Sequence, residues 1–309
     1  MKLGVIIVTF NRLELLKECI KACLNQSEPF ETILIVNNNS SDGTKEYLDN
    51  LKNEKIVIKH LLNNIGGAGG FYEGTKYFQE SNLDFVLLID DDAILNKDYN
   101  KYIKKQMEKD KNSILAYSGT VITDNEIQYN HRRHLKNIKK FKEMNSLPKE
   151  YKQDFFDYEL SSFCGLYVSI SLMNKIGLPN KEFFIWFDDT EYSLRILNYS
   201  KIRNINKSFL NHKTSIIENQ SYSWKSYYGL RNQIYILKNY FPKNQLFRFI
   251  IPIYGHIVHG NILAFIKNVR YYKDIAGLYK NALRDGLKEN LGKHSVYGPG
   301  YKIIEKSNK

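Results

Sequence analysis

The feature that most limits what this chain can become is a series of short apolar runs, each ended by polar residues and separated from the next by a helical pattern. Leu3–Thr9, Thr32–Val36, Ile56–Leu61 and Phe85–Ile89 read as strands. Between them, Leu13–Asn25 has helical spacing at Leu13, Leu16, Ile20, Cys23 and Leu24, Thr44–Leu51 reads as a helix, and Gly70–Ser81 as a helix entered through glycines. Strands that are apolar on both faces and alternate with helices build a mostly parallel sheet covered on both sides, an α/β fold. Ligands of such sheets lie at the carboxyl ends of the strands. That rule puts Thr9, Asn38, Asn63-Asn64 and Asp90-Asp91-Asp92 along one rim.

The pattern changes further on. Tyr129–Lys152 is polar and basic and reads as a mobile loop with one short helix, Phe163–Ile170 as a strand, and Asp189–Asn198 as a helix. From Trp224 onward long helices are expected. Phe247–Ile266 is very apolar but holds Arg248, Pro252, His256 and His259. A membrane span needs about 20 mostly apolar residues with few charges, so this stretch suits a helix lying in a membrane interface, or a buried core helix. Residues 201–309 carry 19 Lys and Arg against 5 Asp and Glu, a net of +14, whereas residues 1–200 carry −2, for a whole-chain charge of +12. Such asymmetry is either a solvated basic face or a surface for an anionic partner, such as phospholipid head groups, pyrophosphate or nucleic acid. Three cysteines give no disulfide framework, which points to a reducing cytoplasmic setting. Met1-Lys2 runs at once into Leu3–Val8, too short a segment for a cleavable leader.

Four motifs can carry chemistry. Asp90-Asp91-Asp92 follows an apolar strand directly, and three adjacent carboxylates repel one another, so the run either holds a cation or is a solvated acidic turn. Oxygen ligands suit Mg2+ or Mn2+. On an extended segment Asp90 and Asp92 point the same way, which makes them the candidate ligand pair. Asn64-Ile65-Gly66-Gly67-Ala68-Gly69-Gly70 precedes a helix; glycines there either let the backbone approach an anion or let the helix pack closely on the sheet. It fits neither the dinucleotide nor the P-loop pattern. Asp188-Asp189-Thr190-Glu191, after Phe183-Phe184-Ile185-Trp186-Phe187, starts a helix. One of its carboxylates is either a general base beside an aromatic sugar platform or a helix cap. His212 ends a strand, and the remaining histidines form no zinc signature.

Taken in order, these motifs resemble a family-2 glycosyltransferase with a GT-A fold. The matching residues are Val8-Thr9-Phe10-Asn11-Arg12, Val36-Asn37-Asn38-Asn39-Ser40-Ser41-Asp42-Gly43-Thr44, Asn64 with its glycines, Asp90-Asp91-Asp92 and Asp188-Asp189-Thr190-Glu191, over roughly residues 3–215. Looser similarity continues through Tyr227-Tyr228-Gly229-Leu230-Arg231-Asn232. Gly66-Gly67-Ala68-Gly69-Gly70-Phe71, the triple Asp, Trp186-Phe187-Asp188-Asp189 and His212 together are similar to galactofuranosyltransferases, with rhamnosyltransferases next.

The resemblance implies a catalytic domain over residues 1–223, its donor half at about 1–125 and its acceptor half at about 126–223, and a helical, basic, membrane-associating region over 224–309. It implies Asp189 as the base, and Asp90, Asp92 and His212 as ligands of Mn2+ or Mg2+. Thr9, Arg12, Asn38, Asn64, Gly66, Gly67, Asp90 and Asp91 would hold the nucleotide sugar, with UDP-galactofuranose expected ahead of dTDP-rhamnose. Trp186 and Asp188 would meet a glycan or polyprenyl-linked glycan acceptor. The implied place is the inner face of the cytoplasmic membrane, peripherally bound. A nucleic-acid-binding protein would account for the basic third but leaves the triple Asp without a purpose. A non-catalytic carbohydrate-binding relative would have no need of Asp90, Asp92 and Asp189.

Overall fold

The computed structural model describes residues 1–137, 140–213, 223–267 and 270–301. In chain order the elements are β1 (Leu3–Thr9), α1 (Leu13–Leu24), β2 (Thr32–Asn37), α2 (Thr44–Asp49), β3 (Ile56–His60), α3 (Gly66–Phe78), β4 (Phe85–Asp90), β5 (Ala93–Leu95), α4 (Tyr99–Asp110), β6 (Ala116–Thr123) and β7 (Glu126–Ile127). There follow β8 (Arg132–Asn137), β9 (Lys140–Asn145), β10 (Phe155–Tyr158), β11 (Leu160–Ser161), β12 (Leu166–Ser169), α5 (Ile170–Ile176), α6 (Asp188–Ile196), β13 (Ile202–His212), α7 (Trp224–Tyr240), α8 (Lys243–Lys267) and α9 (Arg270–Lys288).

Two compact units are formed. The first is Met1–Leu135, Glu143–Lys181 and Asp189–Ser215; the second is Lys136–Lys142, Glu182–Asp188 and Ile216–Lys309. Two short segments from before residue 216 are thus grouped with the C-terminal helices. For residues 182–186 the cause is visible: Arg231 and Asn232 of α7 bind their backbone carbonyls.

The first unit is built on one sheet in the order β10-β13-β6-β12-β4-β1-β2-β3, with β5 added to β13 and β7 to β6. β4, β1, β2 and β3 run parallel. β12 is antiparallel to both β4 and β6, and β13 is parallel to β6, so β13 points the same way as β1 and β4. The alternation along the strands separates two cores. Val5, Ile7, Ile33, Ile35, Leu87 and Ile89 face α1 and α4, whereas Ile6, Val8, Leu34, Val36, Val86 and Leu88 face α3, α5 and α6.

The glycines of α3 explain how closely that helix lies on β1. A Cβ at Gly70 would come within 2.5 Å of Val8 Cγ1, and one at Gly74 within 2.4 Å of Ile6 Cγ2, whereas one at Gly67 meets nothing within 4 Å. The helix starts at Gly66, four residues before the sequence placed it, so the glycine run forms its first turn and a half.

Within the segment read as a mobile loop, the described residues form two strands. Residues 132–137 and 140–145 form β8 and β9, which join β11 in a three-stranded sheet. Its anchor is Arg132, fully buried, whose guanidinium donates to the carbonyls of Gly119 and Cys164 and to Asn204 Oδ1. A polar, basic composition hides this, because the buried charge is solvated by backbone carbonyls that only the fold brings together.

The second unit packs α7, α8 and α9 against one another through Phe184, Tyr227, Tyr228, Leu278, Ala282 and Tyr297, and through Ile234, Ile253 and Leu283. α8 is long and apolar enough to cross a membrane, yet only 17% of its most apolar window is buried.

Gly74→Ala should destabilise the protein by about 1–3 kcal/mol, because overpacking against buried Ile6 outweighs the helix-propensity gain. Gly67→Ala should leave thermal stability unchanged or slightly raised. Parallel thermal melts check both, and equal melting points for wild type and Gly74→Ala would refute the packing account.

Candidate active site

β1, β4 and β13 end on the same edge of the sheet, and each delivers one part of the site. β4 runs out at Asp90, and Asp91 N donates to the carbonyl of Val8, so the acidic turn is tied to β1. β5 pairs antiparallel with β13 and places Ala93 opposite His212, while Lys213 N donates to the carbonyl of Asp92. The strand register thereby brings a histidine from the far end of the chain onto the carboxylates.

The three carboxylates have different surroundings. Asp91 is fully buried; Thr9 Oγ1 donates to its Oδ2 (2.6 Å), and Arg12 Nη2 lies 2.7 Å from its Oδ1. Burial pushes its pKa up to about 7, against the pull of Arg12 and Thr9. Asp92 accepts from Arg12 Nη1 at Oδ2 (2.5 Å). Burial opposes its ionisation, but His212 and Arg12 prevail and hold it below the usual carboxylate range. Asp90 rises to about 6, through burial first and then the neighbouring charge of Asp92, with Asp189 also contributing.

The buried Oδ1 of Asp92 accepts no hydrogen bond and faces His212 Nε2 at 3.4 Å, long for a hydrogen bond. An orphaned carboxylate oxygen beside an imidazole nitrogen fits a divalent cation. Among the described residues no three His, Cys, Asp or Glu side chains are gathered as a ready cage. Asp92 and His212 therefore form the fitted pair.

Asp189, in the second position of α6, is held on one oxygen only. Thr190 N (2.5 Å) and Thr190 Oγ1 (3.1 Å) both donate to Oδ1, and Arg133 Nη2 in turn fixes Thr190 Oγ1. Oδ2 takes no hydrogen bond among the described residues, so one oxygen anchors the carboxylate and the other is open to accept a proton. Glu191 of the same motif is spent on Arg195, four residues on.

Several of the predicted nucleotide residues make hydrogen bonds within the fold. Asn38 is buried: its Oδ1 accepts from Ile65 N and its Nδ2 donates to the carbonyl of Gly66, so its amide pins the glycine turn. Asn64 Oδ1 accepts from Gly66 N, and Gly66 sits at φ 78°, where only glycine is unstrained. Thr9 is likewise turned onto Asp91. Arg12 is exposed, and Asn64, Asp90 and Gly67, the last with open space above it, are part-exposed.

Trp186 and Asp188 belong to the second unit. Phe184, Trp186 and Phe187 all have φ near +65°, a conformation that costs non-glycine residues about 1–2 kcal/mol each. Asn232 Nδ2 holds them there through the carbonyls of Phe183, Ile185 and Trp186. Trp186 is half-exposed and Asp188 is buried.

His131 was not anticipated. Its ring packs edge-on against His212 with centroids 5.0 Å apart, and its Nδ1 pairs with Ser162 Oγ (2.8 Å). Burial, with the adjacent Arg132, drives its pKa well down and keeps it neutral. No spacing in the sequence marks it, because the segment reads as loop.

Residues 4–170 match the profile of Glycosyl transferase family 2. The chain belongs to that family. Among curated relatives, the GalNAc(5)-diNAcBac-PP-undecaprenol beta-1,3-glucosyltransferase of Campylobacter jejuni is 29% identical over 212 residues, 69% of this chain and 62% of that protein. The dTDP-rhamnosyl transferase RfbF of Shigella flexneri is 26% identical over 173 residues, 56% of each chain. This family-2 chain thus spans about three-fifths of the length of these relatives. The crystal structure of GalNAc-T7 with UDP, GalNAc and Mn2+ matches 77% of it, and 48% of that chain, with TM-score 0.62 at 15% identity. That of S. aureus TarS 1-349 in complex with UDP-GlcNAc matches 93% and 81%, with TM-score 0.58 at 16% identity. These likenesses show the fold, which is the expected GT-A α/β architecture followed by a helical C-terminal region.

Arg12→Met removes the cation from two buried carboxylates. Breaking a fully buried pair costs about 3–5 kcal/mol; Arg12 is 40% exposed on its side chain, so a loss on the order of 2 kcal/mol is expected. Chemical denaturation without added metal measures it. An unchanged midpoint would show that the acidic turn needs no counter-charge from Arg12.

Proposed function

We propose that this chain is an inverting glycosyltransferase that moves a sugar from a nucleotide-sugar donor, UDP-galactofuranose foremost, to a glycan or lipid-linked glycan acceptor with the help of Mn2+ or Mg2+. One observation carries the reading: a buried acidic turn, an imidazole and a half-tethered carboxylate meet at the carboxyl edge of a sheet in a family-2 chain. The galactofuranose donor rests on the motif resemblance alone. The dTDP-rhamnosyl relative supports rhamnose as the second reading.

Asp92 Oδ1 and His212 Nε2 would hold the cation, with Asp90 close by. A carboxylate–imidazole pair favours Mn2+ over Mg2+. When bound, the cation neutralises the departing pyrophosphate. Arg12 adds a fixed positive charge on the same side, and Gly67 at the start of α3 leaves backbone exposed to phosphate. Asp189 Oδ2 takes the proton of the acceptor hydroxyl as that oxygen attacks the anomeric carbon opposite the phosphate, and a single displacement inverts configuration. Trp186 offers an aromatic face to the acceptor sugar, and Asp188 stays as the fallback base.

Calorimetry with Mn2+ should show binding of UDP-galactofuranose in preference to dTDP-rhamnose, lost with EDTA and in Asp92→Ala. Asp189→Asn should bind the donor normally while turning over about 10²-fold more slowly or worse. The metal role falls if EDTA leaves transfer unaffected. A preference for dTDP-rhamnose moves the donor assignment to the second reading.

The second unit's partner is, on this reading, an anionic bilayer surface at the cytoplasmic face. Phe247, Ile251, Tyr254, Val258, Ile262, Phe265 and Ile266 recur at spacings of three and four along α8 and are all exposed, a continuous apolar stripe. The net charge of +14 on residues 201–309 complements acidic lipid, each nearby Lys or Arg contributing about 1 kcal/mol. Full-length protein should sediment with phosphatidylserine vesicles and be released by salt, and Ile251→Glu with Phe265→Glu should abolish binding. Salt-resistant association would indicate insertion of α8 instead, and a dimer without vesicle binding would make the stripe a contact between copies.

A further inference from the structure

The stretch Glu182–Phe187 departs most from relaxed backbone. It has three aromatic residues in the left-handed region, two of them consecutive, and such strain persists only where the surroundings over-determine it. Here one helix supplies the restraint. Asn232 Nδ2 converges on three carbonyls, those of Phe183 (3.0 Å), Ile185 (3.1 Å) and Trp186 (2.8 Å). Its own Oδ1 accepts from Arg231 Nε, while Arg231 Nη2 reaches the carbonyls of Glu182 and Phe183. Arg231 and Asn232 are both buried. One turn earlier on α7, Gly229 lies beneath the Trp186 ring: a Cβ there would stand 2.8 Å from Cε3 and 3.3 Å from Cζ3.

A loop held only for stability has no need of strain at its exposed member. Here the restraint fixes Trp186 with one edge of the ring on a bare glycine and 45% of the residue open to solvent. A flat, half-exposed indole at a fixed height suits the apolar face of a sugar ring.

We propose that Asn232 and Gly229 are positioning residues of α7, which set the height and tilt of the Trp186 ring as a platform for the acceptor sugar. The inference rests on the reading of Trp186 as an acceptor contact and adds what makes that contact selective. Asn232 clamps the backbone on either side of the indole. Gly229 sets how far the ring can sink, because any side chain there lifts it.

The test uses the full chain and two perturbations of different severity. Gly229→Ala adds one methyl under the ring, and Asn232→Asp keeps the shape but turns a donor into an acceptor facing three carbonyls. Glycan-array binding should fall about tenfold in both, as in Trp186→Ala, while UDP affinity with Mn2+ stays within about twofold of wild type. The chain has two tryptophans, so in a Trp224→Phe background the emission reports Trp186 alone, and Gly229→Ala should shift it. Undiminished glycan binding in Gly229→Ala and Asn232→Asp, with loss in Trp186→Ala, would overturn the positioning role and leave the platform standing. If Trp186→Ala binds as wild type does, or wild type binds no glycan, the platform and the proposal both fall. UDP affinity that drops in step with glycan binding would make both residues ordinary supports of the fold and overturn the proposal too.

Discussion

Three consecutive carboxylates at the end of a buried strand repel one another at close range in a medium that screens poorly, and the upper edge of the sheet is arranged around that repulsion. Asp91 meets it by turning inward to Thr9 and Arg12, at the expense of a pKa raised to about 7. Asp92 stays ionised because Arg12 and His212 flank it. Asp90 is left partly destabilised as an anion. The same turn thus holds one carboxylate turned into the fold, one kept charged by its neighbours and one sensitive to whatever charge arrives.

The neighbouring loops are tied to each other more than to any open space. Asn11 Oδ1 accepts from Ser41 N and Asn11 N donates to Ser40 Oγ, while Asp42 Oδ2 accepts from Leu13 N at the start of α1. Asn38 fastens the end of β2 to the glycine turn in the same way. Preorganisation of this kind lets a site meet developing charge without reorganising first. It also means that several polar residues on the rim act through the backbone they hold, and that Arg12, Gly67, Asp92, His212 and Asp189 are the groups with capacity left for a ligand.

The glycine run is used for close packing at two of its positions, and one position stays open. Gly70 and Gly74 are packing glycines, fixed by Val8 and Ile6; Gly66 is a conformational one; Gly67 alone faces open space. Periodicity could not separate these duties, because each depends on what lies across the helix–sheet interface. The Asp188-Asp189 pair was similarly undecided between cap and base. The half-tethered carboxylate of Asp189, with Thr190 on one oxygen, is a side-chain geometry that residue order does not encode.

By itself the sequence determined the α/β class, the first four strands, the rim at their carboxyl ends and the helical C-terminal third, since all of these follow from local periodicity and from strand ends. Proximity of the acidic turn to a strand end was legible for the same reason. Tertiary structure alone decided that β13 returns parallel beside β6 and sets His212 against Asp92, because strand order depends on pairings between distant residues. It also decided that the basic stretch after Tyr129 is a small sheet built on the buried Arg132 guanidinium, and that residues 182–188 belong with α7 rather than with the sheet. In each case at least one deciding partner lies more than thirty residues away, and no local pattern carries that information.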